Sequence, residues 1–153
     1  MATTKEPGAR ARKILVGTDG SPSAIRACEF VRDLLSLAGA DVRLLVVLSF
    51  TLDPYTLLGE ALEDTPERLN DARRAMEEAA KLARPIFERA GAHVTVRQRF
   101  GNPAEEILEE IAEWKPDLVV TGRRGLGTPQ RWMLGSVSDR VTRHAKVPVL
   151  VVS

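Results

Sequence analysis

The chain has 153 residues, a formal net charge of +1 and 44% hydrophobic residues, which suits one domain with its own core. Because basic residues are interspersed with acidic ones, the charge balance does not favour a nucleic-acid-binding protein. The single cysteine excludes an internal disulfide or a zinc site built from several cysteines, and no apolar stretch approaches the roughly 20 residues of a membrane span.

The first 11 residues are small, polar and charged, so we expect a flexible N-terminal segment followed by one domain over residues 12–153. Residues 1–12 contain no apolar run and do not resemble a secretory signal. The cysteine count fits a reducing compartment, and a cytoplasmic location is therefore predicted.

An apolar run over residues 13–17 predicts a buried strand that opens into the polar loop of residues 18–20. Ser21 and Pro22 then predict a helix start, because serine caps helices and proline suits their first position. Apolar residues at helical spacing extend this helix toward Gly39, where a glycine would end it.

Cys28 falls on the apolar face of this first helix, which favours a core residue over a reactive thiol. A second strand is predicted over residues 42–48. The stretch over residues 50–64 that follows contains Pro54 and Gly59 and has no periodicity. Such a long connection can form a lid or a partner surface, and local packing over the edge of the sheet is an equal alternative.

Asp64 and Glu67 form a capping-box pattern ahead of a long helix that ends at Gly91. Pro85 is expected to kink this helix or to loosen its last turns. The alternating residues 93–99 predict an edge strand, with His93 exposed at its start rather than catalytic.

A third helix is predicted to start at Asn102 and Pro103. Its carboxylates are interpreted as a solvated helix face rather than as an acid–base pair: Glu105, Glu106, Glu109, Glu110 and Glu113. The apolar residues 117–120 then predict a fourth strand.

The last helix is predicted to begin at Ser136 or Ser138 and to end near Lys146, where His144 suits the negative end of the helix dipole. Residues 147–152 predict a final apolar strand. An exposed apolar edge of this kind favours pairing with a second copy of the chain.

The alternation of strands and helices predicts a doubly wound α/β fold, an open sheet of five mainly parallel strands in the order 3-2-1-4-5. Ligands of such sheets bind beyond the carboxyl ends of the strands, where the strand order reverses. The loop after the first strand, with Asp19, should therefore face the same crevice as the loop after the fourth strand.

A glycine-rich loop connects the fourth strand to the last helix, with the spacing Gly122-x2-Gly125-x9-Gly135-Ser136. Glycine lets a backbone approach a ligand closely, and the free N–H groups of a helix start favour an anion. The loop is neither a Walker A motif, which needs Gly-Lys-Ser/Thr, nor the dinucleotide fingerprint. A turn that binds nothing is the alternative.

Four segments resemble the universal stress protein family, and more specifically its ATP-binding branch. Residues 13–21 (KILVGTDGS) resemble the family's opening, and residues 117–125 (DLVVTGRRG) with 134–138 (LGSVS) resemble its close. The final VPVLVV at residues 147–152 is also similar. The likeness runs from about residue 12 to the end and implies an adenine nucleotide alpha hydrolase-like fold.

This resemblance implies an ATP-binding, homodimeric, cytoplasmic protein of the stress response, with Mg²⁺ expected on the nucleotide and a dimer formed through the C-terminal strand. It assigns the base to the backbone of Val47 and places Asp19 beside the nucleotide, where chemistry would let the carboxylate bind the ribose or a Mg²⁺ ion. The positions that the resemblance assigns to ribose and phosphates are Gly122, Gly125, Gly135, Ser136, Val137 and Ser138. Arg123 is added to this set as a charge that can pair with phosphate.

Two other functions stay open at this stage. One is a slow ATPase or phosphotransfer enzyme, although the residues suggest no catalytic set. The other is a dimeric interaction module that does not bind ATP, with cyclic AMP binding as a related variant. The first prediction is a regulatory nucleotide-binding module. If the protein is an enzyme at all, slow ATP hydrolysis is the expected activity.

Overall fold

A computed structural model describes residues 12–48, 66–123 and 134–153 of the chain. The strands are β1 (Lys13–Gly17), β2 (Asp41–Leu48), β3 (His93–Phe100), β4 (Leu118–Gly122) and β5 (Val149–Val152). The helices are α1 (Pro22–Leu34), α2 (Pro66–Glu88), α3 (Pro103–Trp114) and α4 (Ser136–His144). The segment 1–11, the connection 50–64 with its cap Asp64, and Gly125 lie outside the described residues.

The five strands form one parallel sheet in the order β3-β2-β1-β4-β5, which confirms the predicted fold. β1 lies at the centre, and its last residue, Gly17, pairs with Leu45 of β2 and Thr121 of β4. Because all the strands are parallel, their carboxyl ends meet at one edge of the sheet, and the strand order reverses between β1 and β4.

Apolar side chains cover both faces of the sheet, as expected of buried parallel strands. On one face, Val31 of α1 and Phe87 of α2 pack with the sheet in one buried cluster. On the other face, Ile107 of α3 and Val141 of α4 pack in a second cluster. None of the described helices is both long and apolar enough to cross a membrane.

The prediction that α1 runs to Gly39 is wrong, since the helix ends at Leu34. The chain leaves the helical conformation at Leu35 (φ −114°, ψ 143°), which brings Leu37 and Ala40 into the core. Gly39 instead occupies a turn with a φ of +71°, and its N–H bonds the carbonyl of Gly91 at 2.9 Å. Tertiary burial therefore overrides the helical spacing here.

Other boundaries differ by smaller amounts. α2 continues as helix through Pro85 to Glu88, whereas β5 begins at Val149, two residues later than predicted. β4 extends to Gly122, so the first glycine of the loop is the last residue of the strand. His93 and His144 are exposed at the strand start and helix end where they were expected.

The interpretation of the α3 glutamates as a solvated face is wrong for Glu110, whose side chain is 0% exposed, and for Glu106, whose side chain is 19% exposed and pairs with Arg99. The carboxylate of Glu110 accepts hydrogen bonds from Arg43 at 2.6 Å and from Arg99 at 2.7 Å. Strands β2 and β3 place these two arginines under α3. Glu110 therefore neutralises two guanidinium charges that lie between the sheet and this helix. Glu109 and Glu113 are more than half exposed, as predicted.

Candidate functional site

The end of β4 lies against the start of α1 at the carboxyl edge of the sheet. A Cβ atom added to Gly122 would lie 3.2 Å from Ser23 Oγ and 3.3 Å from the backbone nitrogen of Ala24. Only a residue without a side chain fits this contact without a shift of its neighbours. Gly122 therefore allows the loops after β1 and β4 to face one crevice, as the strand order predicts.

The loop after β1 is held by short side-chain-to-backbone hydrogen bonds. Asp19 Oδ1 accepts the N–H of Ser21 at 2.9 Å, and Thr18 Oγ1 accepts the N–H of Gly20 at 3.2 Å. Gly20 adopts a φ of +75°, and a Cβ atom added to it would lie 3.0 Å from Ala79 of α2. The half-buried carboxylate of Asp19 is thus fixed at the edge between β1 and α1.

Three hydrogen bonds hold the ends of the glycine loop, one to β5 and two between the ends themselves. The N–H of Arg123 donates to the carbonyl of Val152 at 2.7 Å, which anchors the loop to β5. The carbonyl of Arg123 accepts the N–H of Gly135 at 2.9 Å and the hydroxyl of Ser138 at 3.0 Å. The start of α4 is therefore held directly beside the end of β4.

Within the described residues, no side chain caps the first turn of α4, because Gly135 is the N-cap residue. The amides of Ser136 and Val137 lack an intrahelical acceptor, as at any helix start. The partial positive charge of the helix dipole lies at the same place. Ser136 is exposed and Val137 is half-buried. This arrangement is a suitable anion site.

The hydroxyl of Ser138 is hydrogen-bonded within the protein. Its side chain is 2% exposed, and its hydroxyl lies 3.0 Å from the Arg123 carbonyl and 3.2 Å from the Gly135 carbonyl. A hydroxyl has one hydrogen to donate, and here it points to backbone carbonyls. Ser138 thus stabilises the loop junction, and any contact with a ligand would have to use its lone pairs.

Val47 lies on β2 beyond the last residue that pairs with β1. The pairing of β1 with β2 ends at Gly17 and Leu45, and the N–H of Thr18 takes the carbonyl of Leu45 at 3.0 Å. Peptide groups alternate along a strand, so those of Val47 point to the same side as those of Leu45. Within the described residues, no residue of β1 pairs with Val47, so its N–H and carbonyl point past the end of β1.

Thr121 is a residue that the sequence analysis did not single out. It precedes Gly122 at the end of β4, is 4% exposed, and its Oγ1 finds no hydrogen-bond partner in the part of the chain that the structure describes. Threonine is common in strands, so its position in the sequence carries no signal of its own. Only the three-dimensional structure reveals this buried hydroxyl.

Comparisons with known proteins agree on one family. The model of the universal stress protein family matches residues 10–153. A universal stress protein of Thermus aquaticus is 38% identical over 143 residues, covering 92% of this chain and 98% of that protein. One from Mycobacterium tuberculosis is 34% identical over 143 residues, covering 92% and 95%.

Solved structures give the same result. The crystal structure of the hypothetical protein PH0823 has a TM-score of 0.71 at 29% identity, covering 92% of this chain and 94% of that one. A universal stress protein solved in complex with cyclic AMP has a TM-score of 0.62 at 27% identity, covering 94% and 97%. The chain belongs to the universal stress protein family.

Proposed function

We propose that the chain is a regulatory module of the stress response that binds an adenine nucleotide at the carboxyl edge of its sheet. The observation that carries this proposal is the uncapped start of α4, which the Arg123–Gly135 hydrogen bond holds beside the end of β4. A helix start with free amides attracts phosphate. The solved complex of a similar protein with cyclic AMP supports an adenine ligand.

Each part of the nucleotide has a matching group at this edge. The backbone of Val47 would bind the edge of the base, and the amides of Ser136 and Val137 would bind phosphate oxygens. Gly122, Gly125 and Gly135 would let the loop approach the ligand, and Ser138 would hold the loop in place. In the described residues the half-buried guanidinium of Arg123 makes no ion pair, so it can add positive charge toward phosphate.

We propose ATP with Mg²⁺ as the ligand, because an uncapped helix start and a loop arginine favour more than one phosphate charge. Magnesium bound to nucleotides takes one or two carboxylates together with phosphate oxygens. Asp19 supplies a carboxylate at this edge, and it would serve the metal or the ribose. AMP and cyclic AMP are the alternative ligands to test.

The same proposal includes a cytoplasmic homodimer that pairs through β5. One edge of the sheet, β3, carries Arg97, whose side chain is 54% exposed, and an exposed charge discourages pairing of edge strands. The other edge, β5, consists of four aliphatic residues, of which three are only half-buried. Sedimentation velocity at micromolar concentration tests the dimer, and a monomer throughout would contradict it.

Calorimetric titration of ATP with Mg²⁺ into nucleotide-stripped protein tests the ligand, with AMP and cyclic AMP as further titrants. Gly135→Val is the variant to compare, because the backbone of Gly135 (φ −61°, ψ 152°) accepts any residue without strain. Ala145→Val is its matched control: it lies at the other end of α4 with a similar backbone (φ −66°, ψ 135°).

Binding that is lost in Gly135→Val and kept in Ala145→Val would support a ligand at the loop. Absence of heat with all three nucleotides in the unaltered protein would overturn the proposal.

A further inference from the structure

The buried hydroxyl of Thr121 lies on the sheet face that α3 and α4 cover. Its methyl carbon, Cγ2, is 3.8 Å from the position that a Cβ of Gly17 would occupy, and Ile107 of α3 is 3.2 Å from that same position. Val119, two residues earlier on β4, packs in the same cluster as Ile107. Since side chains alternate along a strand, Thr121 shares the face of Val119.

Val47 lies on this face as well, because it packs against the cluster that contains Leu45 and Ile107. β1 separates β2 from β4, so the ends of the latter two strands are roughly 10 Å apart, two strand spacings. The end of β1 between them is Gly17, which has no side chain. Thr121 thus lies on the phosphate side of this gap, beside Gly122 and Arg123, with Val47 on the opposite side.

A buried hydroxyl without a partner is unfavourable in the folded protein, and native proteins rarely keep one without a reason. A valine has the same shape and suits a strand at least as well. The hydroxyl at this position therefore costs stability, and a ligand that hydrogen-bonds it would relieve the cost. A buried water is the other group that could do so.

We infer that Thr121 is a further binding residue, whose hydroxyl hydrogen-bonds a ribose hydroxyl of the nucleotide. This inference rests on the proposed function. It follows from the order of groups along the edge: a base at the Val47 backbone and phosphates at the start of α4 leave the sugar between them. The hydroxyl of Thr121 is uncharged and can both donate and accept, which matches the chemistry of a ribose hydroxyl.

Thr121→Val is the variant that tests this inference. It removes the hydroxyl and keeps the shape, so the nucleotide-free protein should melt at the same or a higher temperature while its affinity for ATP falls about three- to tenfold. Thr18→Val is the matched control for the melting temperature. Thr18 is also buried, but its hydroxyl accepts the Gly20 N–H, so this control should lower the melting temperature.

The ribose contact is tested with ligands that lack one hydroxyl, 2′-deoxy-ATP and 3′-deoxy-ATP. In the unaltered protein, removal of the hydroxyl that Thr121 contacts should weaken binding. In Thr121→Val, removal of the same ribose hydroxyl should weaken binding by a factor about three- to tenfold smaller than in the unaltered protein, because the threonine hydroxyl that it would contact is absent. This cycle isolates the pair from any contact that Asp19 makes with the sugar.

Each outcome bears on the inference. An unchanged ATP affinity in Thr121→Val overturns it, and a lower melting temperature at unchanged affinity assigns the hydroxyl to a structural water. If Thr121→Val lowers the affinity for ATP, 2′-deoxy-ATP and 3′-deoxy-ATP by the same factor, the ribose contact is overturned. If the unaltered protein binds no nucleotide, the proposed function fails first, and the inference fails with it.

Discussion

The N–H of Gly135 donates a 2.9 Å hydrogen bond to the carbonyl of Arg123, and the hydroxyl of Ser138 donates to the same carbonyl at 3.0 Å. Arg123 and Gly135 lie at opposite ends of the glycine loop. Their contact fixes where the amides of Ser136 and Val137 lie relative to the end of β4. The geometry of the proposed anion site thus depends on one carbonyl group.

Ser138→Ala should therefore weaken nucleotide binding with little loss of stability. Both carbonyls that Ser138 contacts keep a backbone donor, Arg123 from Gly135 and Gly135 from Asp139 at 2.9 Å. No buried acceptor is left without a partner, so the free energy of unfolding should change by less than about 1 kcal/mol. We expect an affinity loss of about two- to tenfold by calorimetry, because the start of α4 is held less firmly.

Thr142→Ala is the matched control on the same helix, since it removes a hydroxyl that bonds the Ser138 carbonyl at 2.7 Å, away from the loop junction. Its affinity should equal that of the unaltered protein. Equal affinities in all three proteins would show that the Ser138 hydroxyl does not position the site.

Gly20→Ala should destabilise the protein more than Gly39→Ala. Both glycines have a positive φ, +75° and +71°, so alanine costs about 1 kcal/mol at either position. A Cβ at Gly20 would also lie 3.0 Å from two atoms of Ala79, whereas nothing lies within 4 Å of a Cβ at Gly39. We expect about 1–3 kcal/mol more destabilisation at Gly20 in urea unfolding.

The same pair of variants connects the loop after β1 to binding. Displacement of Gly20 moves Asp19, whose carboxylate bonds the N–H of Ser21. ATP affinity should therefore fall in Gly20→Ala and stay unchanged in Gly39→Ala. Equal stability of the two variants would contradict the close packing of this loop on α2.

The strand order was predictable from the sequence, and the expected position of the candidate site follows from it, because both depend on local patterns. Five apolar runs separated by helical patterns give few alternatives to the order 3-2-1-4-5. The crevice then follows from the rule that ligands bind where this order reverses. Gly122 and the start of α1 at Ser23 and Ala24 come together for that reason, although β1 and β4 are far apart in the chain.

Features that depend on distant partners were not predictable. Glu110 has the spacing of its exposed neighbours, and only the positions of Arg43 and Arg99 under α3 explain its burial. The early end of α1 depends on the burial of Leu37. The hydroxyl of Thr121 is evident only once its surroundings are known.

Cys28 should be unreactive in the folded protein. Burial raises the pKa of its thiol to about 12, and the thiolate is the reactive species. At pH 8 the folded protein should react with a thiol reagent about a thousandfold more slowly than a free cysteine, whose pKa is about 8.5. Absorbance with a disulfide reagent, in buffer and in urea, measures this difference; fast reaction in buffer would contradict the buried position.

The raised pKa of Cys28 also determines the direction in which the stability of the fold changes with pH. A group whose pKa is higher in the folded state stabilises the fold fully below its unfolded pKa. This contribution should decline as the pH rises above about 8.5, because the unfolded chain then loses the thiol proton first. Cys28→Ala should lack this decline.

Glu110→Gln should destabilise the protein by about 2–4 kcal/mol at pH 7, because it removes the charge that Arg43 and Arg99 enclose. Glu109→Gln is the matched control, since Glu109 also pairs with Arg99, at 3.3 Å, but its side chain is 63% exposed. An exposed pair contributes little, so this control should stay within about 0.5 kcal/mol. Urea unfolding of the three proteins measures both values.

The pH dependence of this difference follows from the pKa of Glu110. Burial raises the pKa, but hydrogen bonds from Arg43 and Arg99 outweigh burial, and the folded pKa lies below its usual value. A carboxylate with a lowered pKa stabilises the fold above its unfolded pKa of about 4.3 and loses that contribution as the pH falls through the folded pKa. The stability gap between the unaltered protein and Glu110→Gln should therefore be constant from pH 7 to about 5 and shrink below it. A gap that stays constant down to pH 3 would show that Glu110 contributes through shape and hydrogen bonding rather than through its charge.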